Sequence, residues 1–425
     1  MFASSSRLDV CLFLKPRTSA HMKTLMTTNP LVPIVIKYDT YMDLSSEDMD
    51  RLLSALKRPG RIREIDLRLN SAELDKIFKS KATKCRFPAL ESLAICDRYY
   101  RLQKIPATFL KGTNLHLRLR SLKLDPISLE SVSRLLSSAT ALTDLSLKFN
   151  RYCQANLSGL LPQLQGLPHL RRLDLTITRF TNYSGQLSGL TEPKDSFPLT
   201  KLTSFHYGGH SEFLDFLMMG FEAPSLQDIV IHLNDPFLTL HSFPHLPRFF
   251  NGAKKHYHAA HFVLKQGFFV FSLLAPSEGV GHNSLRFRLP TPHPPPFRGR
   301  KTQKWDKEWM MEVASAFSAK LSTVEELALI KDTPRGDGFM PWCTILKQFP
   351  SVKEFRIEGV NNHRVAGALQ PYRSGANLSV LPALERITLC ISLHNANRSS
   401  ELAVFQPFVT ARQQVGRQVQ VTCFP

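Results

Sequence analysis

Apolar residues recur along the chain in a six-residue frame, apolar-x-x-apolar-x-apolar, in which most x residues are polar. Numbered from its first residue, each frame has apolar side chains at positions 1, 4 and 6. The ten frames begin at Ile62, Leu90, Leu119, Leu142, Leu170, Leu202, Leu226, Val324, Val352 and Leu384. Positions 4 and 6 lie two residues apart, which puts their side chains on one face of a β-strand, so each frame predicts a short strand.

The segments between frames have the apolar spacing of helices. "SLESVSRLLSSATA" at 128–141 places Leu129, Val132, Leu135 and Leu136 on one helical face. The same spacing predicts helices in the segments 211–221, 308–321 and 341–349. The chain is therefore expected to repeat a unit of strand, turn, helix and turn.

A proline stands two residues before the first apolar position of five frames. The five phrases are "FPALESLAI" at 87–95, "LPHLRRLDL" at 167–175, "APSLQDIVI" at 223–231, "FPSVKEFRI" at 349–357 and "LPALERITL" at 381–389. Proline lacks an N–H and cannot continue a helix, and it biases the residue before it towards extended backbone. We expect it to close the loop between each helix and the next strand.

The spacing of the frames is typical of leucine-rich repeats. Successive frames begin 23 to 32 residues apart, except for one gap of 98 residues, inside which "AAHFVL" at 259–264 fits a degraded frame. An asparagine often follows L-x-x-L-x-L in these repeats, and here Asn70, Asn150 and Asn234 occupy its position, where the amide can bond free backbone groups. The sequence thus predicts an α/β leucine-rich-repeat solenoid with irregular repeats, a curved parallel sheet and outer helices.

Four regions follow from this interpretation. They are an N-terminal capping segment at 1–60, repeats at 61–275, a Pro-rich basic insertion at 276–304, and C-terminal repeats with a cap at 305–425. The insertion contains "PTPHPPPFRGRKTQK" and is expected to be a loop or a disordered segment, so that deleting about 277–303 would leave the repeats folded. "GFFVFSLLA" at 267–275, just before it, indicates a buried strand.

The formal net charge of +19 raises the question of nucleic-acid binding. Much of the excess is local, because ten Lys or Arg and two acidic residues lie between Lys254 and Lys307. Elsewhere the two signs are interspersed. Nucleic-acid binding through 286–307 therefore ranks below protein binding.

The sequence contains no catalytic motif and no cofactor motif that we recognise. Seven cysteines without a C-x-x-C pair indicate reduced thiols in an intracellular protein, cytoplasmic or nuclear, and no apolar run reaches the ~20 residues that cross a bilayer. In "HYHAAH", His256 and His258 would share one face of a strand, but a polar strand surface explains them better than a metal. We expect no enzyme, no cofactor and no metal.

The x positions of the frames should form the binding surface, the concave face of the curved sheet, where solenoids usually bind partners. The candidate residues are Arg63, Asp66, Arg68, Lys123, Asp125, Lys148, Arg172, Asp174, His206, His232, Arg356 and Glu358. If the frames stack in register, Arg63, Arg68, Lys123, Lys148 and Arg172 would form a column of cations with the aspartates between them. Reversing Lys148 and Arg172 to Glu should then weaken capture of a partner without changing the melting temperature.

Four longer phrases resemble the F-box and leucine-rich-repeat proteins abundant in mushroom-forming fungi. They are "FASSSRLDVCLFL" at 2–14, the stretch from "PLVPIVIKYD" to "RIREIDL" at 30–67, "LTSFHYGGHSEFLDFL" at 202–217 and "PFVTARQQVGRQVQV" at 407–421. The resemblance covers about 1–275 and 308–425. It implies substrate choice for a cullin-type ubiquitin ligase, in which an F-box holds the adaptor subunit.

The chain departs from this family at its start, because nothing before residue 15 supplies an F-box with its Leu-Pro opening. Only the recognition half is expected here, and binding to the adaptor is not. The first hypothesis is thus a non-catalytic recognition module that resembles the substrate-binding half of an F-box receptor. The alternative is a leucine-rich-repeat scaffold that has no connection with ubiquitin.

Overall fold

The structure is a computed structural model, and it describes all ten frames. The described residues are 11–13, 33–39, 43–99, 105–106, 109–110, 118–126, 129–149, 159–177, 196–233, 257–265, 268–275, 284–290, 317–331, 342–360, 362–370, 379–390 and 398–424. They form two compact units, and the boundary between these units falls inside the strand Ser204–Gly209. Unit 1 comprises Met1–His206 with Gly220–Glu222, and unit 2 comprises Tyr207–Met219 with Ala223–Pro425.

Unit 1 is built on an open parallel sheet. Its strands are β1 (Cys11–Phe13), β2 (Ile34–Asp39), β3 (Ile62–Leu69), β4 (Ser92–Asp97), β5 (Ser121–Asp125), β6 (Asp144–Phe149) and β7 (Arg172–Ile177). Each strand pairs in parallel with the next one in sequence. The described helices of this unit are α1 (Ser46–Leu56), α2 (Ser71–Lys79), α3 (Leu129–Leu136) and α4 (Leu160–Gln165). The predicted helix in 128–141 is confirmed by α3.

Unit 1 also contains a small parallel pair, β8 (Phe197–Pro198) with β10 (Phe221–Glu222). The strand β9 (Ser204–Gly209) carries the unit boundary. Its first residues extend the hydrogen-bond ladder of unit 1, because the Thr203 and Ser204 N–H groups both donate to the Arg171 carbonyl.

All ten frames lie on strands. In nine of them the strand begins two residues after the first apolar position, and in the frame of Ile62 it begins at that residue. The side chains at positions 1, 4 and 6 are at most 6% exposed in every frame, while the x residues between them are half-buried or exposed, except for the buried Ala328. The period of two in the sequence has therefore become one buried and one accessible face of the sheet.

The prolines occupy the predicted turns. In all five phrases the N–H of the first apolar residue of the frame donates to the carbonyl of the residue just before the proline, at 3.1 to 3.4 Å. This bond closes a four-residue β-turn with proline at its second position, where the fixed φ of proline suits the turn. The turn stops the helical segment and directs the chain into the next strand.

Asn70 shows what the asparagine after a frame does. It is the N-cap of α2, where its side-chain oxygen accepts from the Glu73 N–H at 2.9 Å and the Glu73 carboxylate accepts from the Asn70 N–H at 3.0 Å. This capping box confirms the predicted bond between the amide and free backbone groups. Asn150 and Asn234 lie outside the described residues.

Unit 2 contains a sheet that is mostly parallel. Its strands, in spatial order, are β11 (Asp228–Leu233), β14 (Ser284–Pro290), β13 (Phe268–Leu274), β12 (Ala259–Lys265), β15 (Glu326–Lys331), β16 (Glu354–Glu358), β17 (Arg386–Cys390) and β18 (Gln420–Phe424). Only β13 runs against its neighbours, β12 and β14. The degraded frame at 259–264 and the predicted strand in 267–275 are thus both strands of this sheet.

The expected loop at 276–304 contains a strand. The segment 276–304 was expected to be a loop, but β14 lies inside it and pairs in parallel with β11 and antiparallel with β13. Leu285 on this strand is fully buried. The prolines and cations that predicted a Pro-rich basic insertion mostly follow β14. They lie from 291 onwards, outside the described residues.

The described helices of unit 2 vary in length. They are α5 (Ser211–Gly220, whose last residue falls in unit 1), α6 (Ser318–Leu321), α7 (Trp342–Leu346), α8 (Asn362–Leu369), α9 (Arg398–Ala403) and α10 (Gln406–Gln414). The predicted helices in 211–221 and 341–349 correspond to α5 and α7. Of the one predicted in 308–321, only the end is described, as α6.

Candidate functional site

The accessible face of each sheet carries the side chains at frame positions 3, 5 and 7. We call it the exposed face. Every predicted site residue lies on a described strand, and every one is exposed or half-buried. Arg63, Asp66, Arg68, Lys123, Asp125, Lys148, Arg172, Asp174 and His206 lie in unit 1, and His232, Arg356 and Glu358 lie in unit 2.

The predicted column of cations does not form. The pairing register places residues of the same frame position side by side, so Lys37, Asp66, Ala94, Lys123, Ser146 and Asp174 share one row. Arg172 belongs to the row of Glu64 and Asp144, while Arg68 shares a row with Asp39 and Asp125. The prediction was wrong because the five cations occupy four different frame positions.

Neighbouring strands instead carry opposite charges, at matching positions in four pairs and at diagonal positions in the pair of Lys37 and Glu64. Across the exposed face of unit 1, the ion pairs are Lys37–Glu64 at 2.9 Å, Arg63–Glu91 at 2.7 Å, Arg68–Asp39 at 3.2 Å, Lys148–Asp125 at 3.1 Å and Arg172–Asp144 at 3.5 Å. Asp174 accepts from the Ser146 hydroxyl at 3.2 Å. Pairs of this kind stabilise neighbouring strands and neutralise much of the face.

Lys123 is the exception among the predicted cations of unit 1. Its side chain is exposed, and it makes no hydrogen bond or ion pair with any residue that the structure describes. In its row it lies between Ala94 and Ser146, neither of which is charged. A binding protein can therefore contact Lys123 without breaking an ion pair between described residues.

The polar groups around Lys123 are not arranged for catalysis. Burial raises the pKa of the Cys96 thiol to about 11, with the nearby Asp125 carboxylate adding to the effect, so this cysteine is a protonated thiol and a poor nucleophile. Burial also raises the pKa of Asp66 above its ordinary value, although Arg68 opposes this. Neither group has a base or an acid aligned with it for proton transfer in the described part of the chain.

A small recess lies at the end of strands β4 and β5. Its lining residues are Leu74, Phe78, Ile95, Asp97, Ile105, Asp125 and Pro126. One Asp125 carboxylate oxygen is buried without a hydrogen-bond partner in the described chain, while Asp97 accepts from Ser71 and from the Tyr99 N–H. The free space is about that of one water molecule, so the recess suits a bridging water and no cofactor.

The exposed face of unit 2 is paired in the same way. Lys353–Glu325 at 3.0 Å and Arg386–Glu354 at 2.7 Å join neighbouring strands, whereas Arg356 pairs with Glu358 of its own strand at 2.8 Å. Half of each side chain in these pairs is accessible, so each one adds little stability.

The "HYHAAH" segment gains an acidic partner from another strand. His258 lies 2.8 Å from the Glu326 carboxylate, which the sequence separates from it by 68 residues. His256 is outside the described residues, and no group of three metal-binding side chains converges anywhere in the described chain. His258 is thus held by a hydrogen bond to Glu326 just before the strand β12.

Three donors of the face in unit 2, namely Arg286, Ser272 and His261, were not among the residues that the sequence predicted for the binding surface. Arg286 lies in the stretch expected to be a loop, and Ser272 is the polar residue of an apolar run. The sequence could have indicated Ser272, because it is the one polar residue in the apolar run "FFVFSLL". Its side chain alternates with those of Phe271 and Leu273, which places it on the accessible face.

Comparison of the chain with models of known protein families and with curated proteins gave no match. No helix in the described ranges has both the length and the apolar composition that a membrane crossing requires. The fold class that the structure defines is thus a mixed α/β chain with large, open, mostly parallel sheets.

Proposed function

We propose that the chain is a non-catalytic module that recognises a protein partner, and that the exposed face is its binding surface. The frames and their turns further support a leucine-rich-repeat solenoid with irregular repeats. The observation that carries the proposal is the register of β2 to β7, which joins accessible side chains from six successive strands into one continuous surface. Repeat proteins use such surfaces to bind other proteins.

The chemistry of this surface favours a protein over a small molecule. The recess beside Asp125 has room for about one water molecule, and the Cys96 thiol is protonated at neutral pH. Charges of both signs alternate across the strands, a pattern that selects partners and speeds association more than it adds affinity. Lys123 supplies a positive charge that forms no ion pair with the described residues.

The resemblance to F-box proteins supports a more specific role. We propose that the module corresponds to the substrate-binding half of a cullin ubiquitin-ligase receptor. The alternative, a scaffold with no connection with ubiquitin, shares the same binding surface. The two differ in the fate of the captured partner, because the target of a receptor should carry ubiquitin and the partner of a scaffold should not.

The test is affinity capture with the tagged full chain, followed by mass spectrometry. Lys123→Glu should reduce recovery of the specific partner at least about fivefold, since it reverses an accessible charge of the interface. Lys57→Glu is the matched control, because Lys57 is an exposed cation at the end of α1, away from the strands. Equal recovery by the parent and Lys123→Glu, with melting temperatures unchanged, would move the binding surface off this face.

A further inference from the structure

One register row of unit 2 carries hydrogen-bond donors and no carboxylate. Strand pairing places eight residues side by side across the sheet: Val230, Arg286, Ser272, His261, Ala328, Arg356, Thr388 and Thr422. This row lies on the exposed face, because the residues that alternate with it, such as Phe271 and Leu329, are buried. We call Arg286, Ser272, His261 and Arg356 the donor row.

Two arginines flank the centre of the donor row. Neighbouring strands lie about 4.8 Å apart, so Arg286 and Arg356 each stand about 10 Å of sheet from His261, on opposite sides. Burial lowers the pKa of His261, and the charges of Arg356 and Arg286 lower it further, against the opposing effect of Glu326. The charges of both guanidinium groups are therefore felt at His261, together with that of the Glu326 carboxylate.

The arginines are available to a ligand. Arg286 is exposed and makes no ion pair within the described residues. Arg356 is 54% exposed and binds Glu358 through one of its nitrogens, which leaves other N–H groups of its guanidinium for a second acceptor. Arg286 should attract an anion more strongly than Arg356 does, because the anion does not have to displace a carboxylate from Arg286.

Ser272 provides an independent sign of a ligand. It is only 5% exposed, and its hydroxyl makes no hydrogen bond to any other residue in the described part of the chain. Its side chain lies on the exposed face, since its neighbours in sequence, Phe271 and Leu273, are both fully buried on the opposite side. The hydroxyl of this mostly buried residue can therefore donate to an acceptor oxygen of a ligand on this face.

We propose that the donor row binds a phosphoryl group carried by a protein partner. A phosphate monoester carries a charge of about −1.5 to −2 and three acceptor oxygens. Those oxygens match the two guanidinium groups, the Ser272 hydroxyl and one imidazole N–H of His261. A carboxylate offers half the charge and two oxygens, and arginine pairs strongly with phosphate through parallel hydrogen bonds. This inference rests on the proposed function and names the chemistry of the partner.

The experiment uses the full chain and labelled peptides with a fixed central phosphoserine and mixed flanking residues. Peptides with serine or glutamate at the centre are the comparison, and fluorescence anisotropy is the measurement. The phosphoserine peptides should bind at least about tenfold more tightly than both. Arg286→Gln and Ser272→Ala should each remove most of that preference, while Lys347→Gln, an exposed cation outside the row, should leave it unchanged.

Three results would overturn the inference. Glutamate peptides that bind as well as phosphoserine peptides would indicate a general acidic partner. A single-stranded oligonucleotide that binds more tightly than either would indicate nucleic acid. A phosphoserine preference that survives both substitutions, in variants with the parent melting temperature, would place the phosphate elsewhere.

The proposed function is judged separately. If phosphatase treatment of the lysate leaves capture of the partner intact while Lys123→Glu abolishes it, the recognition module stands and the phosphoryl site fails. If phosphatase treatment abolishes capture and Lys123→Glu does not, the donor row stands and the surface of unit 1 is not required.

Discussion

Arg412 donates a hydrogen bond of 2.8 Å to the backbone carbonyl of Leu381, 31 residues earlier in the chain. The same guanidinium donates to the carbonyls of Val380 and Pro382, at 2.9 and 3.0 Å, and it is fully buried. Leu381 has a positive φ of 50°, which is rare for a residue with a side chain. Arg412 thus ties the C-terminal helix α10 to the strained turn that leads into β17.

Arg412→Met should therefore destabilise unit 2 by roughly 1–3 kcal/mol, because the Val380 carbonyl loses its donor, while the Leu381 and Pro382 carbonyls still accept from the Leu384 N–H and from Arg417. Arg412→Lys should recover little, because a single ammonium cannot span three carbonyls as the planar guanidinium does. Urea unfolding is the measurement, with Arg120→Met, an exposed arginine, as control. Stability equal to that of the parent in Arg412→Met would mean that this contact is dispensable.

Leu145→Ala and Leu173→Ala should each cost roughly 2–5 kcal/mol. Both leucines occupy position 4 of well-formed frames and are at most 1% exposed. Lys123→Ala, on the accessible side of the neighbouring strand, should change the unfolding free energy by less than about 0.5 kcal/mol. If the leucine variants and the lysine variant melted alike, the assignment of the two faces would be wrong.

Reversal of Lys148 should be costly, in contrast to the expectation from sequence. Its pair with Asp125 is mostly shielded, with side chains 24% and 16% exposed, whereas Arg172 and Asp144 are 64% and 40% exposed. We expect Lys148→Glu to lose about 1.5–3 kcal/mol and Arg172→Glu less than about 1 kcal/mol. Restoration of stability by adding Asp125→Lys to Lys148→Glu would identify the pair as the cause, and a failure to restore it would point to packing.

Deleting 277–303 should unfold unit 2, because it removes β14 from between β11 and β13. A milder test is Leu285→Ala, which should cost roughly 2–5 kcal/mol at a fully buried site. Arg286→Gln, at the next residue but on the accessible face, serves as its control. A deletion variant that kept the parent melting curve would show that the strand adds nothing to the fold.

The pH dependence of stability should contain a contribution from His261. Its pKa in the folded chain lies below the ordinary value of about 6.5, so the unfolded chain binds the proton first as the pH falls. Stability should be unaffected by this residue above about pH 6.5 and should decrease below it, until the lowered pKa is passed. His261→Gln should flatten this decrease relative to the parent, and identical pH profiles would contradict the burial of the imidazole.

The local hydrophobic pattern was enough to find every strand that carries a frame. Leu93 with Ile95, or Leu173 with Leu175, follow the period of two that a half-buried strand requires, and the proline turns and the cap at Asn70 are equally local. Each depends on residues only a few positions apart, so the sequence by itself determined them. β2 was missed as a strand because "IVIKYD" has no full frame, and β14 because flanking proline-rich composition obscured its alternation.

Only the tertiary structure decided which charges meet. Lys148 and Asp125 are 23 residues apart and His258 and Glu326 are 68 apart, and their contact depends on strand order and register. A shift of one residue in register turns every side chain to the other face, so no single frame specifies its neighbours across the sheet. The donor row is the clearest case, because antiparallel β13 brings Ser272 between Arg286 and His261. The sequence determined which side chains are accessible, and the pairing of strands determined which of them act together.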